Sequence, residues 1–193
     1  CEECMQAQRE TLGDRHPETL ASIHNMSGLL KDMGQLEEAR LLLEEALQAQ
    51  RETLGNRHRS TLISTGNMGL LLMDMGQLSS ARLLLQKANR GCRETLGDRH
   101  PDTLRSVNNV GSLLLAMNQH EKAKPLFDEA LQAQRETLGN RHRDTLTSIG
   151  NMGLLLQKMG QLEKARPLLE EAVRVTRETL GDRHPHTLVY MKK

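Results

Sequence analysis

Aromatic residues are almost absent from this chain. Phe127 and Tyr190 are the only two in 193 residues, and there is no Trp. Leu and Met must therefore supply the core, and there are no rings on which nucleic-acid bases could stack. Net charge is missing too. The 26 Lys and Arg residues against 25 Asp and Glu leave a formal charge of +1, so no global field points to nucleic acid or to an anionic membrane. No apolar run approaches the roughly 18 residues of a membrane span, and no signal peptide is legible. The three cysteines are too few, and odd in number, for a disulfide framework, which fits a reducing compartment and a cytoplasmic location. Cys1 and Cys4 spell C-x-x-C. A step of 42 residues places them on Leu43 and Ala46, both apolar positions. No second Cys pair or Cys/His cluster completes a zinc site. They read as small buried residues on a helix, and no metal or other cofactor is expected. Strand signals are lacking as well: there are few β-branched runs and no period-two alternation.

What is present is repetition. The phrase RETLG begins at Arg9, Arg51, Arg93, Arg135 and Arg177, a spacing of 42 residues each time. Within one unit, residues 17–58, Pro17 suits the first helical position, where its missing N–H costs nothing. Leu20, Ile23, Met26, Leu30 and Met33 then recur at spacings of three and four, which predicts an amphipathic helix of about four turns. Gly34-Gln35 breaks it. Leu36, Ala39, Leu43, Ala46 and Leu47 mark a second helix that runs to about Leu54, and Gly55 is expected to end it as a left-handed cap. Each unit is thus a helical hairpin, which cannot bury its apolar face alone and must stack on copies of itself.

The pairs fall at 17–54, 59–96, 101–138 and 143–180, with an orphan second helix at 1–12 and the start of a first helix at 185–193. The whole of 1–193 reads as a single array, beginning and ending in mid-repeat and so taken as a piece of a longer one. The loops alternate between Asp-Arg-His-Pro, at 14, 98 and 182, and Asn-Arg-His-Arg, at 56 and 140. Residues 45–59 are identical to 129–143. Duplication of a two-repeat block is the simplest account. Pro125 and Pro167 sit early in second helices, where a mild kink is the most they should cost.

These residues resemble the tetratricopeptide repeat. Its alternation of small and large side chains matches Ser27, Gly69, Gly111 and Gly153; Leu30, Leu72, Leu114 and Leu156; Ala39, Ala81, Ala123 and Ala165; Leu43, Leu85, Phe127 and Leu169; and Ala46, Ala88, Ala130 and Ala172. The 42-residue period is similar to the longer variety found in kinesin light chains. So are LGDRHPDTL at 96–104, NNVGSLLL at 108–115 and EKAKPLFDEAL at 121–131. The resemblance implies an all-α fold, an α-solenoid of antiparallel hairpins wound into a right-handed superhelix. It also implies a non-catalytic scaffold that recognises protein or peptide partners.

In that family the first helix of each pair lines a concave groove. The implied ligand-facing rows begin at positions 21, 24, 25, 28, 31 and 32. One row is Asn25, Asn67, Asn109 and Asn151. Asn has poor propensity in mid-helix, and its carboxamide both donates and accepts. Related long-repeat proteins use such a ladder to bond the backbone of a peptide. The alternative is that each Asn bonds a neighbouring helix and sets the pitch. The flanking rows contain His24, Gly66, Asn108 and Gly150; Gly28, Leu70, Ser112 and Leu154; and Lys31, Met73, Leu115 and Gln157. Leu70, Met73, Leu115 and Leu154 offer apolar pockets, while His24 and Asn108 add polar contacts. Lys31, Arg105 and Lys158 read as solvated charges at the groove edge.

The chain offers three further features. Arg15-His16, Arg57-His58-Arg59, Arg99-His100, Arg141-His142-Arg143 and Arg183-His184 stack into a basic ridge that could hold an acidic partner or phosphates. Asp14, Asp98, Asp182 and nearby glutamates offset it, so nucleic acid is not expected, and each His is read as bonding at a helix start. Catalysis is not expected either. His142-Arg143-Asp144 imitates a kinase catalytic loop, but Ile149 stands where that motif needs Asn. Finally, Cys1, Cys4 and Met5 at one end and Leu188 and Met191 at the other would be exposed. They could join copies head to tail through a contact that need not close.

Overall fold

A computed structural model describes residues 2–180. The described residues form helices and contain no strand: α1 (Glu2–Leu12), α2 (Pro17–Asp32), α3 (Leu36–Leu54), α4 (Arg59–Asp74), α5 (Leu78–Leu96), α6 (Pro101–Ala116), α7 (His120–Leu138), α8 (Arg143–Lys158) and α9 (Leu162–Leu180). The chain divides into two compact units at Gly97 and Asp98. In unit 1, α2 packs on α1 and α3, and α4 packs on α3 and α5; in unit 2, α7 packs on α6 and α8, and α8 on α9. Residues 185–193 and Cys1, for which a partial helix and a terminal contact are expected from the sequence, lie outside the described residues.

Each hairpin is closed by the same short turn. Gly34 N–H bonds Lys31 O at 2.9 Å, and Gln35 N–H bonds Leu30 O at 2.8 Å. That pair of bonds is the Schellman arrangement, with the left-handed residue at Gly34, φ 80°. Asn118, φ 56°, takes the same place between α6 and α7, as Asn tolerates this region better than other side chains. The left-handed cap thus lies between the helices of a hairpin and not at Gly55. Gly55 has φ 85° but ψ 165°, an extended mirror-image conformation that a Cβ would crowd. It turns the chain away from the second helix instead of capping it in the left-handed helical form.

First helices begin alike. His16, His58, His100 and His142 are N-caps whose Nδ1 accepts from the N–H two residues on, at 3.1–3.3 Å. Each satisfies one orphan donor of the first turn. The prolines of the second helices sit deeper than the sequence reading allowed. Pro125 is the sixth residue of α7, beyond the first turn, so one intrahelical hydrogen bond is lost. The helix continues through it, and both Pro125 and Pro167 are exposed.

Packing follows the small–large alternation. In unit 2 Gly111 lies against Phe127; a Cβ there would be 2.7 Å from the ring Cε1. Gly69 meets Leu85, and Gly153 meets Leu169, in the same way. A residue without a side chain lets the two helices of a hairpin close on one large residue, and Phe127 is fully buried. Burial of such a ring contributes about 2–3 kcal/mol. At the other end of the chain, Met5 is buried with Leu20, Ile23 and Met26. This corrects the expectation that Met5 is exposed, because α2 covers the face of α1 that carries it. Cys4 points the other way and is exposed, whereas its repeat equivalent Ala46 is fully buried. Cys4 is therefore not the small buried residue expected from register.

Candidate functional site

The two polar rows of the first helices behave differently, although they are adjacent in sequence. Row 24 ties consecutive first helices together. In unit 1, His24 Nδ1 donates to Leu20 O at 2.7 Å, and its Nε2 meets the Ser64 hydroxyl at 2.6 Å, joining α2 to α4. In unit 2, the buried Asn108 donates through Nδ2 to Ser148 Oγ, which donates in turn to Gln134 Oε1. This joins α6, α8 and α7. Asn108 Oδ1 and Gln134 Nε2 are buried with no partner among the described residues. His24 and Asn108, expected to line the binding face, thus each have one polar atom bonded to a neighbouring first helix.

Row 25 is less engaged. Asn25 and Asn67 are exposed on α2 and α4 of unit 1; Asn109 and Asn151 are half-buried on α6 and α8 of unit 2. Asn151 donates to Ser112 Oγ at 3.4 Å. Asn25, Asn67 and Asn109 make no hydrogen bond among the described residues. A one-residue step on a helix turns a side chain by about 100°, which separates a row that faces the next helix from a row that faces out.

The apolar positions Leu70, Met73, Leu115 and Leu154 are all half-buried, and Leu115 rests on the unit 2 core. In unit 1, His24, Gly28, Lys31, Asn67 and Leu70 line one cleft of about 200 Å³. It brings together five positions from four of the expected rows. Gly28 has open space where a Cβ would stand, so the floor there is backbone. Lys31 at its edge is not isolated: its ammonium pairs with Asp74 at 2.9 Å. Arg105 is likewise paired, with the buried Asp102. The sequence reading missed both carboxylates. Asp74 lies 43 residues from its partner, and only the packing of α4 beside α2 brings them together.

Four arginines of the basic ridge are paired with carboxylates that the loop sequence does not contain. Arg15 bonds Glu52 and Arg57 bonds Glu94 in unit 1, at 2.6 and 2.5 Å. Arg99 bonds Glu136 and Arg141 bonds Glu178 in unit 2, both at 2.9 Å. Each of these four arginines is thus paired with the last turn of the following second helix, and His16, His58, His100 and His142 are occupied as caps; Arg183 and His184 lie outside the described residues. A second set links second helices: Arg9 to Glu45 and Arg135 to Glu171, each at 2.6 Å. The Glu45 hydrogen bond is the main reason the Arg9 pKa lies above its ordinary value.

A profile of the Tetratricopeptide repeat family matches the chain in overlapping stretches at 1–52, 23–90, 60–136, 104–178 and 144–193. No curated protein sequence matches significantly. Among solved structures, the fold is similar to a protein from Podosopora anserina, named for a kinesin light chain with nearly identical TPR-like repeats. One form of it, a single-substitution variant, is 30% identical over 92% of this chain and 84% of that one, with a TM-score of 0.67. A second structure with the same name is 30% identical over 93% and 85%, with a TM-score of 0.64. BtubC (BKLC) from P. vanneervenii shares the fold at 17% identity, covering 86% of this chain and 66% of its own, with a TM-score of 0.67. With the repeat profile running from one end to the other and the hairpins closed by the same turn, the chain belongs to the tetratricopeptide repeat family.

Proposed function

We propose that the chain is a protein-interaction scaffold whose first helices take a peptide segment of a partner protein, by binding alone and without catalysis. The repeat is a scaffold typical of protein–protein interaction. The observation that carries the finer reading is the unit 1 cleft, in which the free carboxamide of Asn67 lies beside Leu70 and the bare backbone at Gly28. A carboxamide without a partner is ready to bond a peptide backbone whatever that peptide's side chains, while Leu70 and Met73 take an apolar anchor. In unit 2, Asn109, Asn151, Leu115 and Leu154 offer the same chemistry at repeat-equivalent places. His24 at the cleft wall and the buried Asn108 tie consecutive first helices together and so support this surface.

A peptide-display selection run in parallel on the protein and on an Asn67→Ala/Asn109→Ala variant tests this. One motif should be enriched on the protein and lost on the variant, with helicity and melting temperature unchanged. Equal enrichment on both, or none, would remove these Asn residues from any ligand-binding role. Head-to-tail assembly through the chain ends is the second reading. The burial of Met5 takes one apolar group away from that contact. The assembly reading predicts association that grows with concentration in light scattering.

A further inference from the structure

The four complete second helices occupy equivalent places in the repeat, yet one of them differs in charge. α3 carries five carboxylates, and α7 and α9 carry four each. α5 carries one, Glu94, against Arg82, Lys87, Arg90 and Arg93. By register, Ser79 and Ser80 stand where α3 has Glu37 and Glu38. Gln86 and Lys87 replace Glu44 and Glu45, and Arg90 replaces Gln48. The changes are concentrated on one side. At 100° per residue, Arg82, Leu83, Gln86, Lys87 and Arg90 share a face about 140° wide, and all five are exposed. Arg82, Lys87 and Arg90 form no ion pair or hydrogen bond among the described residues. Glu94, the one carboxylate of the helix, is held by Arg57. In the midst of the three cations stands Leu83, at 71% the most exposed large apolar side chain among the described residues.

We propose that this face of α5 is a second interaction surface, on the helices not used by the first-helix site, and that it takes an acidic polypeptide segment carrying an apolar anchor. Charge complementarity names the first part of the ligand: three unpaired cations along about two turns match carboxylates spaced three or four residues apart. Leu83 names the second. A phosphate backbone would neutralise the cations but leave this side chain in water, and there is no aromatic on the helix for a base to stack on. A protein segment with Leu, Ile or Phe between its acids covers both. Long cationic side chains around an apolar centre also suit a protein interface, since their stems shield the contact while their charges stay at the rim.

The test is a displayed library of random peptides, selected on the protein and counter-selected on a Lys87→Glu/Arg90→Glu variant. That variant should stay folded, because Lys87→Glu restores the glutamate that α3, α7 and α9 carry at that register, and both side chains are exposed. The selected peptides should be acidic with one large apolar residue. They should bind at least about tenfold more weakly to the variant, more weakly to Leu83→Ser, and more weakly as salt rises. They should bind the Asn67→Ala/Asn109→Ala variant undiminished, which separates this surface from the first-helix site. Selected peptides that lack net negative charge, or that bind the Lys87→Glu/Arg90→Glu variant equally well, would overturn the proposal. So would poly-U RNA that binds in a Lys87- and Arg90-dependent manner while no peptide does. Dimerisation through this face in ultracentrifugation, without peptide binding, would replace the acidic segment by a second copy of the chain.

Discussion

Lys87 interrupts a ladder, and replacing it should stabilise the protein by a calculable amount. In unit 1, Arg9 grips Glu45 with two hydrogen bonds of 2.6 and 2.8 Å, with the guanidinium side chain 21% and the carboxylate side chain 39% exposed. In unit 2, Arg135 grips Glu171 at 2.6 Å. The partners are 36 residues apart in both cases. The same step from Arg51 arrives at Lys87, so by register one rung of unit 1 carries a cation where the other rungs carry a carboxylate, and Arg51 forms no ion pair among the described residues. Lys87→Glu should complete the rung. A two-point pair at this exposure contributes about 0.5–1 kcal/mol, the upper range for partly exposed pairs. Removal of a like-charge neighbour adds about 0.2–0.5 kcal/mol. The total, about 1 kcal/mol, raises the melting temperature of a chain this long by about 2–4 °C. Circular-dichroism melts should show that gain at low salt and a smaller one at about 0.5 M, where the Debye length is only a few ångströms. Lys87→Gln should recover only the relief of repulsion. In an Arg51→Met background Lys87→Glu should gain almost nothing, which gives a coupling of about 0.5–1 kcal/mol in the cycle. A gain that survives without Arg51, or the absence of any gain, would show that translation by one repeat does not place these two side chains together.

Two further measurements probe the hairpin and its cap. Gly111→Ala drives a Cβ to within 2.7 Å of a rigid, fully buried ring and should destabilise by about 1–3 kcal/mol. Gly28→Ala meets nothing within 4 Å and should stabilise by about 0.5–1 kcal/mol through helix propensity. Chemical denaturation of the pair would read opposite signs, and equal losses would mean that the close approach to Phe127 is not what fixes a glycine there. His58→Ala removes a cap and should cost about 0.5–2 kcal/mol. Its neighbour Arg57→Ala breaks an exposed pair with Glu94 and should cost no more than about 1 kcal/mol. Hydrogen exchange at Thr61 and Leu62 would report the fraying of α4 in the first variant alone.

The class of fold and the hairpin are legible along the chain. A period of 42 residues, apolar spacings of three and four, and a small residue set against a large one leave no other way to bury Leu, Met and Ala. These are local or translational properties, so one chain read along its length contains them. It also isolated the Asn row, because an amide recurring in mid-helix contradicts local propensity. The relations between helices some 40 residues apart are settled by packing alone. Whether row 24 or row 25 turns toward the neighbouring helix depends on a rotation of one residue, and packing set it so that His24 and Asn108 bond across while Asn25, Asn67 and Asn109 do not. The loop arginines look like a free basic ridge until the end of the next second helix brings Glu52, Glu94, Glu136 and Glu178 beside them. Gly55 and Gly34 are both plain glycines in sequence. Only the backbone path, continuing away from one helix and folding back after the other, gave them different conformations. Periodicity fixes what each helix offers, and the packing of one helix on the next decides which of those offers are taken up and which are left to a partner.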